Sequence, residues 1–194
     1  MALGLRLFTH DGSDMINEFD LPSDNSNSER LEIVRLLARV GIFSVLSNDQ
    51  IGELAKQAQV VNYRAGEFIV RQGQKGHSLY VISSGQCEVF VTDLQAFGKT
   101  VATMSEGDFF GEMSLLTGDP VVATVRALKD SELLAIDKEI FADMLKKYPE
   151  LSSQLADVLV ERQKNYASIT GKPLKNLPTS KSFIGRIKSF FHLD

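Results

Sequence analysis

Along this chain the spacing of hydrophobic positions changes period twice. Ser26 followed by Glu29 has the spacing of a capping box, and Leu31, Val34, Leu37, Ala38 and Ile42 recur at helical intervals, which predicts a helix over about 29–40. Ser47 with Gln50 repeats the cap signal, and Ile51, Leu54, Ala55 and Ala58 mark a second, shorter helix. From Val60 to Lys138 the apolar residues come instead in short β-rich runs: Val60-Val61, Phe68 to Val70, Leu79 to Ile82, Cys87 to Val91, Val101 to Met104, Thr124 to Leu128 and Leu133 to Ile136. Glycines 66, 73, 76, 85, 107, 111 and 118 punctuate these runs at turn-like intervals, and Asp93 to Lys99 reads as a hairpin loop. Many short strands with glycine turns predict a sheet pair that closes on itself, a sandwich or barrel, rather than a βαβ sheet.

Past Asp137 the helical period returns. Residues 138–147 form one predicted helix, and Pro149 suits the first turn of a longer one reaching about residue 168, with Leu151, Leu155, Val158 and Leu159 on one face. That stripe is read as packing against the strands or a partner subunit. Thr170 to Lys181 is a basic linker broken by Pro and Gly, and Phe183, Ile184, Ile187, Phe190 and Phe191 then share a face of a short amphipathic helix. Residues 1–28, with the polar run Asp20 to Ser28, read as a flexible N-terminal segment, 29–168 as the folded domain, and 169–194 as linker and C-terminal helix.

Composition narrows the function class. A net charge of −4 and a pI near 5.4 argue against a nucleic-acid partner, which needs a basic face. The single cysteine, Cys87, rules out an internal disulfide and a cysteine-rich metal site, and fits a cytoplasmic setting. No apolar stretch approaches the roughly 18–20 residues that span a bilayer, and residues 1–8 lack the pattern of a secretory signal. The tail is the exception to the acidic balance: between 171 and 194, Lys172, Lys175, Lys181, Arg186 and Lys188 face only Asp194. Basic groups beside a Phe/Ile stripe suit either docking on the domain or a neighbouring subunit, or an anionic membrane surface. No nucleophile elbow, paired histidine ligands or P-loop is present, and His10, His77 and His192 stand apart, so no enzyme, catalytic residue or metal site is expected.

The stretch that carries chemistry is Gly107 to Ala127. Phe110-Gly111 ends a strand, Glu112 to Leu116 can form one helical turn, and Gly111 lets a ligand approach the backbone. Unpaired N–H groups at the start of that turn favour an anion, Ser114 can donate its hydroxyl, and Glu112 can accept from a sugar hydroxyl. This Gly107–Ala127 stretch resembles the phosphate-binding cassette of cyclic-nucleotide-binding domains, and the glycine spacing of Gly66 to Gln86 is similar to the same family.

The resemblance, over about 30–168, implies a mainly β fold with flanking helices: an eight-stranded double-stranded β-helix or jelly roll (the cyclic-nucleotide-binding β-roll). It has N-terminal helices, a one-turn cassette helix and C-terminal helices. It implies ligand-binding positions at Gly111, Glu112, Met113, Ser114, Val121 and Val122, with Glu112 on the ribose 2′-hydroxyl and cAMP or cGMP as candidate ligand. The family's phosphate-pairing arginine should follow Pro120, where this chain has Val121, with Val122 beside it in place of a small residue. Binding is therefore expected to be weak or altered. Arg126 reads as a strand residue with a solvated head, Lys75 and His77 as turn residues, Gly118-Asp119 as the turn after the cassette helix, and Arg162-Gln163 as an exposed helix face or a cap for a bound base.

Leu115-Leu-Thr-Gly-Asp-Pro120, Ile136-Asp-Lys138, Tyr148-Pro-Glu-Leu151, Glu161-Arg-Gln163 and the basic Phe-rich end Ile184-Gly-Arg-Ile-Lys-Ser-Phe-Phe191 resemble the cytoplasmic sensor modules of bacterial mechanosensitive-type cyclic-nucleotide-gated channels. That resemblance implies a regulatory module whose effector is a channel domain, at the inner face of a membrane, with a homo-oligomer as a candidate assembly. The alternatives are a ligand-independent interaction or oligomerisation module that keeps the fold, and a transcription regulator of the cAMP-receptor type without its DNA-binding domain.

Overall fold

The computed structural model describes residues 25–92, 98–170 and 179–193. The first described elements are helix α1 (Asn25–Arg39), a single 3-10 turn at Gly41–Phe43 that buries Ile42 and Phe43, and α2 (Asn48–Gln57). The predicted box at α2 is formed: the Gln50 N–H donates to Ser47 Oγ and the Ser47 N–H to Gln50 Oε1, at 3.3 and 2.7 Å. At α1 the reading is corrected. Ser26 lies within the helix rather than at its cap, because the backbone is already helical at Asn25.

Eight strands follow: β1 (Gln59–Tyr63), β2 (Phe68–Val70), β3 (Ser78–Ser84), β4 (Gln86–Thr92), β5 (Gly98–Ser105), β6 (Phe109–Phe110), β7 (Thr124–Ala127) and β8 (Ser131–Asp137), with helix α3 (Glu112–Thr117) between β6 and β7. They form two antiparallel four-stranded sheets in the orders β1-β8-β3-β6 and β2-β7-β4-β5, the predicted jelly roll. The chain then adds α4 (Lys138–Lys147), α5 (Leu151–Thr170) and α6 (Ser180–Phe191). Pro149 sits in the turn just ahead of α5, and the predicted Asp93–Lys99 loop falls mostly on residues 93–97, outside those described.

The period-two pattern of β3 and β8 sorts side chains to two sides of one sheet. Leu79 and Val81 of β3, with Leu134 and Ile136 of β8, face outward into a large cluster built with α1 to α6. Ile82 and Leu133 face inward with Cys87, Met104, Phe110 and Val125, joined by the half-buried Tyr63, Tyr80 and Val89. Inside, Tyr80 stacks on Phe110 at 5.2 Å between ring centroids, and burial beside Tyr80 pushes the Tyr63 phenol up to about 12. Burial also raises the Cys87 thiol, in keeping with a small strand residue.

Candidate functional site: the turn between β6 and β7

α3 is bounded by two glycines that its geometry requires. Gly111 precedes it at φ 91°, and a Cβ there would lie 2.5 Å from the Ser78 carbonyl oxygen of β3. Gly118 ends it at φ 74°, its N–H donating to the Ser114 carbonyl at 2.9 Å, and a Cβ would lie 2.5 Å from the ring of Phe190. Both positions are left-handed, where a side chain is strained even in open space. The cassette helix is thus pressed against the sheet at one end and against α6 at the other.

Of the predicted site residues, Gly111 to Ser114 lie at the start of α3 and Val121 and Val122 between α3 and β7, and several of them have partners within the chain. Ser114 is buried; its hydroxyl donates to the Asp119 carbonyl at 2.5 Å and accepts from the Gly76 N–H at 3.0 Å. In this structure that hydroxyl ties the turn before β3 to the turn after α3. Val121 continues the tie, its N–H donating to the Gln74 carbonyl and its carbonyl accepting from the Gly73 N–H, both at 2.8 Å. The Val121 side chain is buried beside Gly76 and Ser114, so an apolar group fills the space next to the turn. Val122 is 45% exposed, and Met113 packs half-buried on the large cluster.

Glu112 also has a partner within the chain. It is buried, and its Oε1 lies 3.2 Å from Arg162 Nε on α5. Burial holds its carboxyl above the ordinary carboxylate range, and the Arg162 charge offsets part of that rise. The Arg162 guanidinium also donates to the Phe109 carbonyl and lies 4.1 Å above the Phe109 ring. The sequence reading of Arg162 did not include this pairing. The signal was present in the spacing, because Leu155, Leu159 and Arg162 sit at i, i+4 and i+7 on one face of α5.

Other surroundings are as expected or sharper. Lys75 bridges to Pro120 and the His77 carbonyl accepts from the Lys138 N–H, so both belong to the turn. Arg126 is a strand residue with a partly exposed side chain, and its head also pairs with Glu88 and lies 5.8 Å from the Phe68 and Phe90 ring centroids. A contact the sequence reading missed is that between α6 and the turn at Gly118-Asp119, where Arg186 pairs with the Asp119 carboxylate. Among the described residues no cluster of His, Cys, Asp and Glu is placed to hold a metal ion, and no helix is long and apolar enough to cross a membrane.

Comparison with known proteins agrees with this geometry. Residues 60–148 match the family described as "Cyclic nucleotide-binding domain". The chain is 32% identical over 121 residues to the Cyclic AMP receptor protein of Thermus thermophilus, covering 62% of this chain and 56% of that protein. It is 29% identical over 169 residues to the cGMP-dependent protein kinase egl-4 of Caenorhabditis elegans, covering 76% of this chain and 21% of that one. The regulatory subunit of a cAMP-independent protein kinase A from Trypanosoma brucei shares the fold at a TM-score of 0.63 and 25% identity, over 76% of this chain and 53% of that one. The chain therefore spans about a fifth to just over half of these proteins. With the match lying across β1 to α4 and two four-stranded sheets closing around the glycine-bounded cassette helix, residues 60–148 carry the β-roll fold of the cyclic-nucleotide-binding domains that they match.

Proposed function

We propose that this domain is a regulatory sensor of the cyclic-nucleotide class with weakened or altered affinity for cAMP and cGMP, acting on an effector domain such as a channel. The observation that carries the reading is Val121, a buried aliphatic side chain where the family resemblance calls for a phosphate-pairing arginine. A charge-assisted hydrogen bond is worth about 1.5–3 kcal/mol, so its loss lowers affinity roughly ten- to a hundredfold without abolishing the site. The resemblance to channel sensor modules supports a channel as effector, at the inner face of a membrane.

A specific observation favours a second reading, a ligand-independent interaction module: Glu112 is already ion-paired with Arg162, and the Ser114 hydroxyl is hydrogen-bonded to Gly76 and Asp119. Calorimetric titration separates the two. On the sensor reading the natural chain binds cAMP or cGMP weakly and Val121→Arg binds about ten- to a hundredfold more tightly. No binding by either, with both folded, favours the interaction module, and tight binding by the natural chain overturns the weakened-site reading.

A further inference from the structure

α6 lies across the outside of the cassette and is held there by contacts of several kinds. Its apolar face, Phe183, Ile187 and Phe191, is buried in the same cluster as Leu115 and Leu116 of α3 and Leu155 and Leu159 of α5. Phe190 occupies the space that the absent Cβ of Gly118 leaves open, and Lys138 Nζ sits 3.5 Å above the Phe190 ring. Arg186 pairs with the Asp119 carboxylate, which also accepts from Thr117 Oγ1 at 3.0 Å. At the start of the helix, Thr179 Oγ1 accepts the Ser182 N–H and Ser180 Oγ donates to Asp157 Oδ1 of α5 at 2.5 Å.

These contacts reach both ends of the cassette. At its C-terminal end, Arg186 fixes Asp119, whose carbonyl receives the Ser114 hydroxyl and whose chain runs through Pro120 into buried Val121. At its N-terminal end α6 acts through α5, against which it packs and which carries Arg162 onto Glu112. Arg162 thus pairs with one oxygen of the Glu112 carboxylate, and α6 packs against the helix that carries Arg162. A twelve-residue helix is marginal in isolation, so α6 owes its order to this seat and has an undocked alternative.

We propose that α6 is an intramolecular inhibitory strap: docked, it holds the cassette in a form whose polar groups are occupied by the chain itself, and undocking frees Glu112 and the Gly118–Val121 turn for an anionic, ribose-bearing ligand. This rests on the sensor reading above. Apparent affinity scales with the fraction of molecules in the competent form, so weakening the strap raises affinity without altering a ligand-facing residue.

The test compares the full natural chain with Arg186→Glu, with the charge-swapped pair Asp119→Arg/Arg186→Glu, and with Val121→Arg. Each is titrated with cAMP and followed by amide hydrogen exchange. Arg186→Glu is expected to speed exchange in α6 and at the Gly76, Gly118 and Val121 amides, and to tighten cAMP binding about tenfold, with the swap reversing both. Faster exchange confined to α6, with unchanged cAMP affinity, overturns the strap. If Val121→Arg gains affinity and Arg186→Glu does not, the strap fails and the sensor reading stands. If neither binds cAMP, the sensor reading fails and the strap with it.

Discussion

The helical side of the β1-β8-β3-β6 sheet and the interior of the roll are both apolar, yet they are built differently. The helical side gathers large, fully buried aliphatic and aromatic groups from every helix, Phe43, Leu54, Leu116 and Phe183 among them. The interior holds a smaller set, with Cys87 and the half-buried phenols of Tyr63 and Tyr80 around Ile82, Leu133 and Val125. Stability is thus concentrated outside the roll, which leaves the interior free to vary, and the cassette helix sits at the seam. Leu115 and Leu116 belong to the helical mass, whereas Ser114 and Val121 belong to the turn that closes the mouth.

The largest expected effect breaks the helical side. Phe43 is fully buried and packs 6.4 Å from Phe141, so Phe43→Ala should lower unfolding free energy by about 3–5 kcal/mol in urea melts. Ile82→Val in the interior should cost about 0.5–1.5 kcal/mol, and equal costs would show the two regions to be equivalent. Next comes the seam. Gly118→Ala must place a methyl group against Phe190 at positive φ, and a loss of about 1–2 kcal/mol with faster exchange in α6 is the expected result.

The smallest effect is a pH dependence. Glu112 has its folded-state carboxyl raised above its ordinary value of 4.5, so the folded protein holds that proton more tightly than the unfolded chain. Its contribution is therefore most favourable below the unfolded value and is lost as pH rises through the folded one. The natural chain is expected to lose urea midpoint as pH rises above 4.5, and Glu112→Gln should flatten that fall; an unchanged slope removes Glu112 as its source.

Much of the architecture was legible because it follows from period. The Ser47/Gln50 cap, the alternation of Leu79 to Ile82 and the glycine turns each gave a local signal that the fold kept. The positions of the cassette residues were legible too, but their occupancy was not. That Ser114 spends its hydroxyl on Asp119 and Gly76 depends on a turn 38 residues earlier in the chain, which no local pattern reports. The Arg162–Glu112 pair joins residues that share no helix or strand, and only the alignment of Arg162 with the apolar face of α5 hinted at it. The tail was read as a choice between docking and a membrane surface; an amphipathic stripe looks the same in either setting, and only tertiary contacts with Gly118 and Asp119 show α6 seated on the domain.

The strand order has a kinetic consequence. The last strand, β8, lies between β1 and β3, pairing Gln59 with Ala135 and Leu79 with Ile136, and β7 lies likewise between β2 and β4. The second sheet is not continuous until the chain has been synthesised through Ala127, nor the first until Asp137, and the early strands present unpaired edges to the ribosome exit, to chaperones and to one another until then. Folding is therefore expected to be slow and late relative to synthesis, with the N-terminal helices formed first and the roll closing in one step when its two final strands arrive.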